Sequence, residues 1–103
     1  MPKLIITRAA WEDIRNVKRF TRHAYGDGKV LEYEDLIEEA YRDIMTNPTM
    51  GRLMLQDLPE VRGWPIAKPG RRARHIVFYR VNQGGDLEIV RFLHDAMDFK
   101  RHL

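Results

Sequence analysis

The 103-residue chain carries no cysteine, which excludes a disulfide framework, a thiolate zinc site and a cysteine nucleophile together. Its 44% hydrophobic and 32% charged content suits one globular domain, residues 1–103, built on a single shared core. Net charge is a modest +3, and no run approaches the roughly 18 apolar residues of a membrane span, so a soluble, cytoplasmic protein without a membrane partner is expected.

Lys3 to Thr7 is short, apolar and β-branched, and reads as a strand. Thr7 then caps a helix on which Trp11, Ile14, Val17, Thr21 and Ala24 share one face, because residues three and four apart are neighbours on a helix. Tyr25-Gly26-Asp27-Gly28 breaks it. A second helix is predicted from about Glu32 to Thr46, with an apolar stripe of Leu36, Ile37, Ala40, Tyr41, Ile44 and Met45 and a stop at Asn47-Pro48. The short glycine turn makes the two an antiparallel helical hairpin.

The rest reads as sheet. Val61 to Ile66 is a strand whose Pro65 lacks an amide proton, which argues for an edge or a bulge. Ala67 to Gly70 is a turn, and His75 to Val81 is the strongest strand, apolar on both faces and so predicted central. Asn82 to Asp86 is a hairpin loop, Leu87 to Leu93 the returning strand, and a short helix follows from Asp95. The expected fold is α+β: an N-terminal strand, the helical hairpin, a three-stranded antiparallel meander and a short C-terminal helix, with the helices on one face of the sheet.

Between Val61 and Asn82 the charged residues are Arg62, Lys68, Arg71, Arg72, Arg74 and Arg80, with no acid among them. One basic region on a balanced protein points to an anionic partner, with a solvated loop as the alternative. No glycine-rich phosphate loop or serine-nucleophile signature occurs. His94 with Asp98, and His23 with Asp27, are pairs lacking a third ligand, so neither a metal nor another cofactor is expected. Tyr79 lies inside the central strand, where a core role with a satisfied hydroxyl is favoured over catalysis.

His75-Ile76-Val77-Phe78-Tyr79-Arg80-Val81, then Leu87-Glu88-Ile89-Val90-Arg91-Phe92-Leu93-His94 and Met97-Asp98, carry a family resemblance. Asn47-Pro48-x-x-Gly51-Arg52, Ala10-x-x-Asp13-Ile14 and Trp64-Pro65-Ile66 add to it in the same order. Together they resemble the ParE branch of the ParE/RelE toxin superfamily, the toxins of type II toxin–antitoxin (plasmid stabilisation) modules. The resemblance implies a growth-inhibiting toxin neutralised by a cognate, ParD-like antitoxin in a hetero-oligomer. ParE-like members inhibit DNA gyrase, whereas RelE-like members cleave messenger RNA on the ribosome, and a shared fold does not choose between them.

RNA scission needs proton-transfer groups beside cations. The candidates would be Arg72, Arg74, Arg91, His94 and His102, but the terminal segment offers Phe99 where a titrating side chain is wanted. A non-enzymatic gyrase inhibitor is therefore preferred, with Lys68, Arg71, Arg72, Arg74, His94, Asp98 and Phe99 as the effector surface. His94 reads better as part of a charged cluster with Arg91 and Asp98 that fixes the tail. The alternatives are the endoribonuclease and an inactive RNA-binding domain of the same fold. Phe20 and Leu31 lie outside the main apolar stripes and are candidate antitoxin anchors, against core burial as the other reading.

Overall fold

The computed structural model describes residues 3–55, 57–66, 75–94 and 103. Its element order is β1 (Leu4–Ile6), α1 (Arg8–Tyr25), α2 (Asp27–Thr46), β2 (Arg52–Leu53), β3 (Arg62–Ile66), β4 (His75–Val81) and β5 (Leu87–His94). The predicted α+β class, hairpin and meander are present. The two-residue strand β2 was not foreseen, and the expected C-terminal helix falls outside the described residues.

The five strands form one mixed sheet ordered β1-β5-β4-β3-β2. β3, β4 and β5 are the antiparallel meander, while β1 lies parallel to β5, with Leu4 opposite Leu87 and Ile6 opposite Ile89. Pro65 pairs with Ile76 of β4, beyond the reach of β2, which engages only Arg62 and Gly63 on the outer side of β3. A missing amide proton is tolerated on such an edge.

Thr7 joins the helical and sheet layers. Its Oγ1 accepts from Ala10 N at 3.2 Å, capping α1, and donates to Val90 O at 2.9 Å. Val90 is the extra residue of a β-bulge, since Phe78 faces Arg91 while Tyr79 already faces Ile89. Thr7→Val keeps the side chain's shape but removes both bonds, and is expected to cost about 1–2 kcal/mol of unfolding free energy in urea denaturation.

The turn between the helices is the single residue Gly26, at φ 91°, whose N–H closes α1 on Arg22 O. Left-handed φ suits glycine because no Cβ crowds the backbone. α2 therefore begins at Asp27, earlier than the predicted Glu32, and Gly28 lies inside the helix. Lys18 meets Glu34 at 3.4 Å, a pairing symmetric about Gly26 that fixes the helices as antiparallel.

The buried stripe of α1 also differs from the prediction. Ala10 and Ile14 are buried and Val17 and Thr21 half-buried, but Trp11 and Ala24 are exposed. The stripe is centred one residue N-terminal of the indole. These residues, with Ile37, Ala40 and Ile44 of α2, cover Val77, Tyr79, Ile89 and Phe92 on one sheet face. The opposite face carries a smaller core in which Ile76, Phe78 and Leu93 meet Leu55 and Val61. β4 is thus buried on both sides, as its doubly apolar pattern predicts.

Candidate functional site

Arg91 is the most tightly held cation described. It projects from β5 onto α1, where Nε donates to Asp13 Oδ2 at 2.7 Å and Nη2 to Oδ1 at 2.9 Å. Asp13 Oδ2 also accepts the Phe92 N–H at 3.0 Å. A fork-to-fork pair fixes geometry as well as charge, and the carboxylate beside it raises the Arg91 pKa further. Asp13 is thus one carboxylate that grips Arg91, and the expected cluster of Arg91 with His94 and Asp98 involves a residue, Asp98, that lies outside the described residues.

Tyr79 is wholly buried, and its hydroxyl accepts from Gly51 N at 2.8 Å and donates to Pro48 O at 2.8 Å. Arg62 Nη1 grips the same loop through Thr49 O at 3.1 Å and Gly51 O at 2.8 Å. The Asn47-Pro48-x-x-Gly51 motif is therefore the partner of the strand tyrosine, whose hydroxyl is satisfied within the core. Burial raises the Tyr79 phenol, with the Gly51 amide and then Arg62 pulling it back in part.

Burial likewise raises Tyr33 and pushes Tyr41 up to about 12. Unfolded tyrosines ionise near 10.0, so all three hold their protons longer in the folded chain. Their contribution to stability is complete below pH 10.0 and lost as pH climbs toward the folded values. Circular dichroism followed through an alkaline titration is expected to show unfolding that begins above about pH 10.

His94 stands at the end of β5 directly opposite His75 of β4, their rings edge to face with centroids 5.2 Å apart. His75 stacks on Phe92 at 5.1 Å and its Nδ1 is hydrogen-bonded to the Tyr33 hydroxyl. This aromatic cluster sits where the chain enters β4 from the basic segment and leaves β5 toward the tail. Sequence reasoning missed His75 and Tyr33. Only the likeness in strand position of His75 and His94 signals that the two histidines pair.

Lys68, Arg71, Arg72, Arg74, Asp98, Phe99 and His102 lie outside the described residues. Phe20 and Leu31 are both strongly exposed, at 67% and 62%, which removes the core-burial alternative for them. Among the described residues no three His, Asp or Glu side chains converge as a metal site, and no helix is long and apolar enough to cross a membrane.

The fold is thus a five-stranded mixed sheet with a helical hairpin tied to its meander by the Asp13–Arg91 pair. A chain from the chromosomal ParDE TA system of P. aeruginosa superposes with a TM-score of 0.72 over 91% of this chain and 96% of that one, at 22% identity. Two relatives extend the likeness to sequence. Toxin ParE of Escherichia coli is 27% identical over 100% of this chain and 94% of its own length. Toxin ParE1 of Mycobacterium tuberculosis is 28% identical over 98% and 97%. The family model described as the ParE toxin of the type II toxin-antitoxin system, parDE, matches residues 4–99, and the chain belongs to that family. It is a ParE-type toxin of a type II toxin–antitoxin module.

Proposed function

We propose that this toxin arrests growth by docking on DNA gyrase without cutting nucleic acid, and that a cognate ParD-like antitoxin neutralises it in the cytoplasm. The observation that carries this reading is the ParE family match over residues 4–99, which favours the gyrase-directed branch over its RNA-cleaving sister. The geometry adds support. Arg91, which scission would need as a free cation, is engaged by Asp13, and the Tyr79 hydroxyl serves the loop at Pro48 and Gly51. The effector surface is assigned to His94 together with Lys68, Arg71, Arg72, Arg74, Asp98 and Phe99.

Purified toxin in a gyrase supercoiling assay, run beside translation reactions in which mRNA ends are mapped, tests the proposal. Loss of supercoiling with intact messages is the expected result. Cut messages with normal supercoiling would move the protein to the endoribonuclease reading. Phe20 and Leu31 are assigned as antitoxin anchors by their exposure. Phe20→Ala is expected to leave thermal stability unchanged and weaken antitoxin binding by about tenfold in titration calorimetry.

A further inference from the structure

We propose that Met54 is an oxidation site, at which conversion of the thioether to a sulfoxide releases β2 from the sheet edge and loosens the smaller core. This inference goes beyond the gyrase reading and does not depend on it. Of the five methionines, Met54 and Met50 are exposed, at 40% and 38%, while Met45 is half-buried against the larger core. Met1 and Met97 lie outside the described residues.

Exposure makes a methionine reachable, but Met54 is set apart by where its sulfur lies. Gly63 of β3 has no side chain, and the Met54 thioether occupies the space that one would fill. A Cβ at Gly63 would overlap Met54 Sδ and lie 3.4 Å from Met54 Cγ. The same point is 3.1 Å from Ile76 Cγ2, so the thioether sits beside the apolar surface of the smaller core. An unbranched, polarisable side chain suits an irregular gap of this kind. Gly63 is also the residue that pairs with Arg52 of β2 and with Phe78 of β4. β2 has only two residues, both exposed, paired with Gly63 and Arg62. The thioether therefore covers the join by which this short edge strand is attached.

The oxidant is a peroxide. A lone pair of Sδ attacks one peroxide oxygen as the O–O bond breaks. The new S–O bond keeps that oxygen, the departing hydroxide takes its proton, and water leaves. Sulfur is oxidised and the peroxide reduced, a change that sulfoxide reductases reverse. The sulfoxide oxygen is a hydrogen-bond acceptor, and the Ile76 side chain beside it offers no donor. Burying an acceptor without a partner is unfavourable, so the side chain turns to water and uncovers Gly63 and Ile76. Ile76 pairs with Leu93, and the next step of that ladder is His75 with His94. Oxidation thus loosens the meander one step from His94, and reduction tightens it again.

The test treats the full-length toxin with dilute hydrogen peroxide and follows it by peptide mass mapping, thermal unfolding and hydrogen exchange. Met54 is expected to gain one oxygen and the unfolding midpoint to fall by about 4–8 °C. Amides of residues 52–54 should exchange about tenfold faster. A methionine sulfoxide reductase should restore both readings. Met54→Leu fills the same space without an oxidisable sulfur and should hold its midpoint under this treatment, whereas Met50→Leu should respond as the wild type does. An oxidised Met54 with an unchanged midpoint would overturn the proposal, as would an equal fall in Met54→Leu. So would a Met54 that stays reduced while Met50 reacts. Mapping, exchange and reductase rescue are all read on the wild type, so they decide the matter even where a variant does not fold.

Discussion

Asp13→Ala is expected to lower the unfolding free energy by about 3 kcal/mol, read from the shifted midpoint of a urea titration. The substitution takes the bidentate carboxylate from a guanidinium whose side chain is only 22% exposed and removes the acceptor of the Phe92 amide. Breaking such a pair from one side costs more than the pair contributes, because the remaining charge keeps its desolvation penalty. The double substitution Asp13→Leu with Arg91→Met is accordingly expected to be milder than Asp13→Ala alone. A double-mutant cycle should return a coupling of about 1–3 kcal/mol. Strictly additive losses would mean the ion pair does not tie the helix to the sheet.

Asp13 also marks how far sequence reasoning reaches. The residue stands out within Ala10-x-x-Asp13-Ile14, but its partner Arg91 is 78 positions away, and no local pattern names it. β4 and β5 are legible because alternation of period two and a glycine-rich turn are local signals. The pairing of β1 with β5 is not, since their contact spans most of the chain. Side-chain size misplaces the stripe of α1: the indole of Trp11 draws attention away from Ala10, which is small yet fully buried. Gly28 reads as a helix breaker beside Gly26, but only Gly26 adopts a left-handed φ there.

The second large effect is expected at the contact between Gly51 and Tyr79. Gly51→Ala should destabilise the protein by about 1–3 kcal/mol in the same measurement. A Cβ at this position would overlap the Tyr79 hydroxyl and lie 2.8 and 2.9 Å from the ring carbons Cε1 and Cζ. Tyr79 is buried on all sides and cannot swing away, and the Gly51 amide that bonds to it would be displaced. Tyr79→Phe removes the same latch by other means, stranding the Gly51 amide and the Pro48 carbonyl at about 2 kcal/mol. If Gly51→Ala in the Tyr79→Phe background costs as much as in the wild type, the hydroxyl is not what excludes a side chain at position 51.

Of the candidate site, the satisfied core role of Tyr79 agrees with reasoning from polarity and spacing, whereas for Phe20 and Leu31 the sequence left exposure and core burial open and the structure shows both exposed. The partnership of His75 with Tyr33 does not follow from either, because it joins a helix to the first residue of a strand 42 positions later.

The parallel alignment of β1 with β5 has a consequence for synthesis. Thr7 caps α1 while bonded to Val90, 83 positions downstream, and Leu87 N donates to Lys3 O. A nascent chain has no neighbour for its first strand until residues 87–94 have cleared the ribosome. Loop closure over such a distance is slow compared with hairpin formation. Premature termination upstream of β5 therefore releases a polypeptide whose opening segment has lost its strand partner, and such an unpaired segment is open to proteolysis.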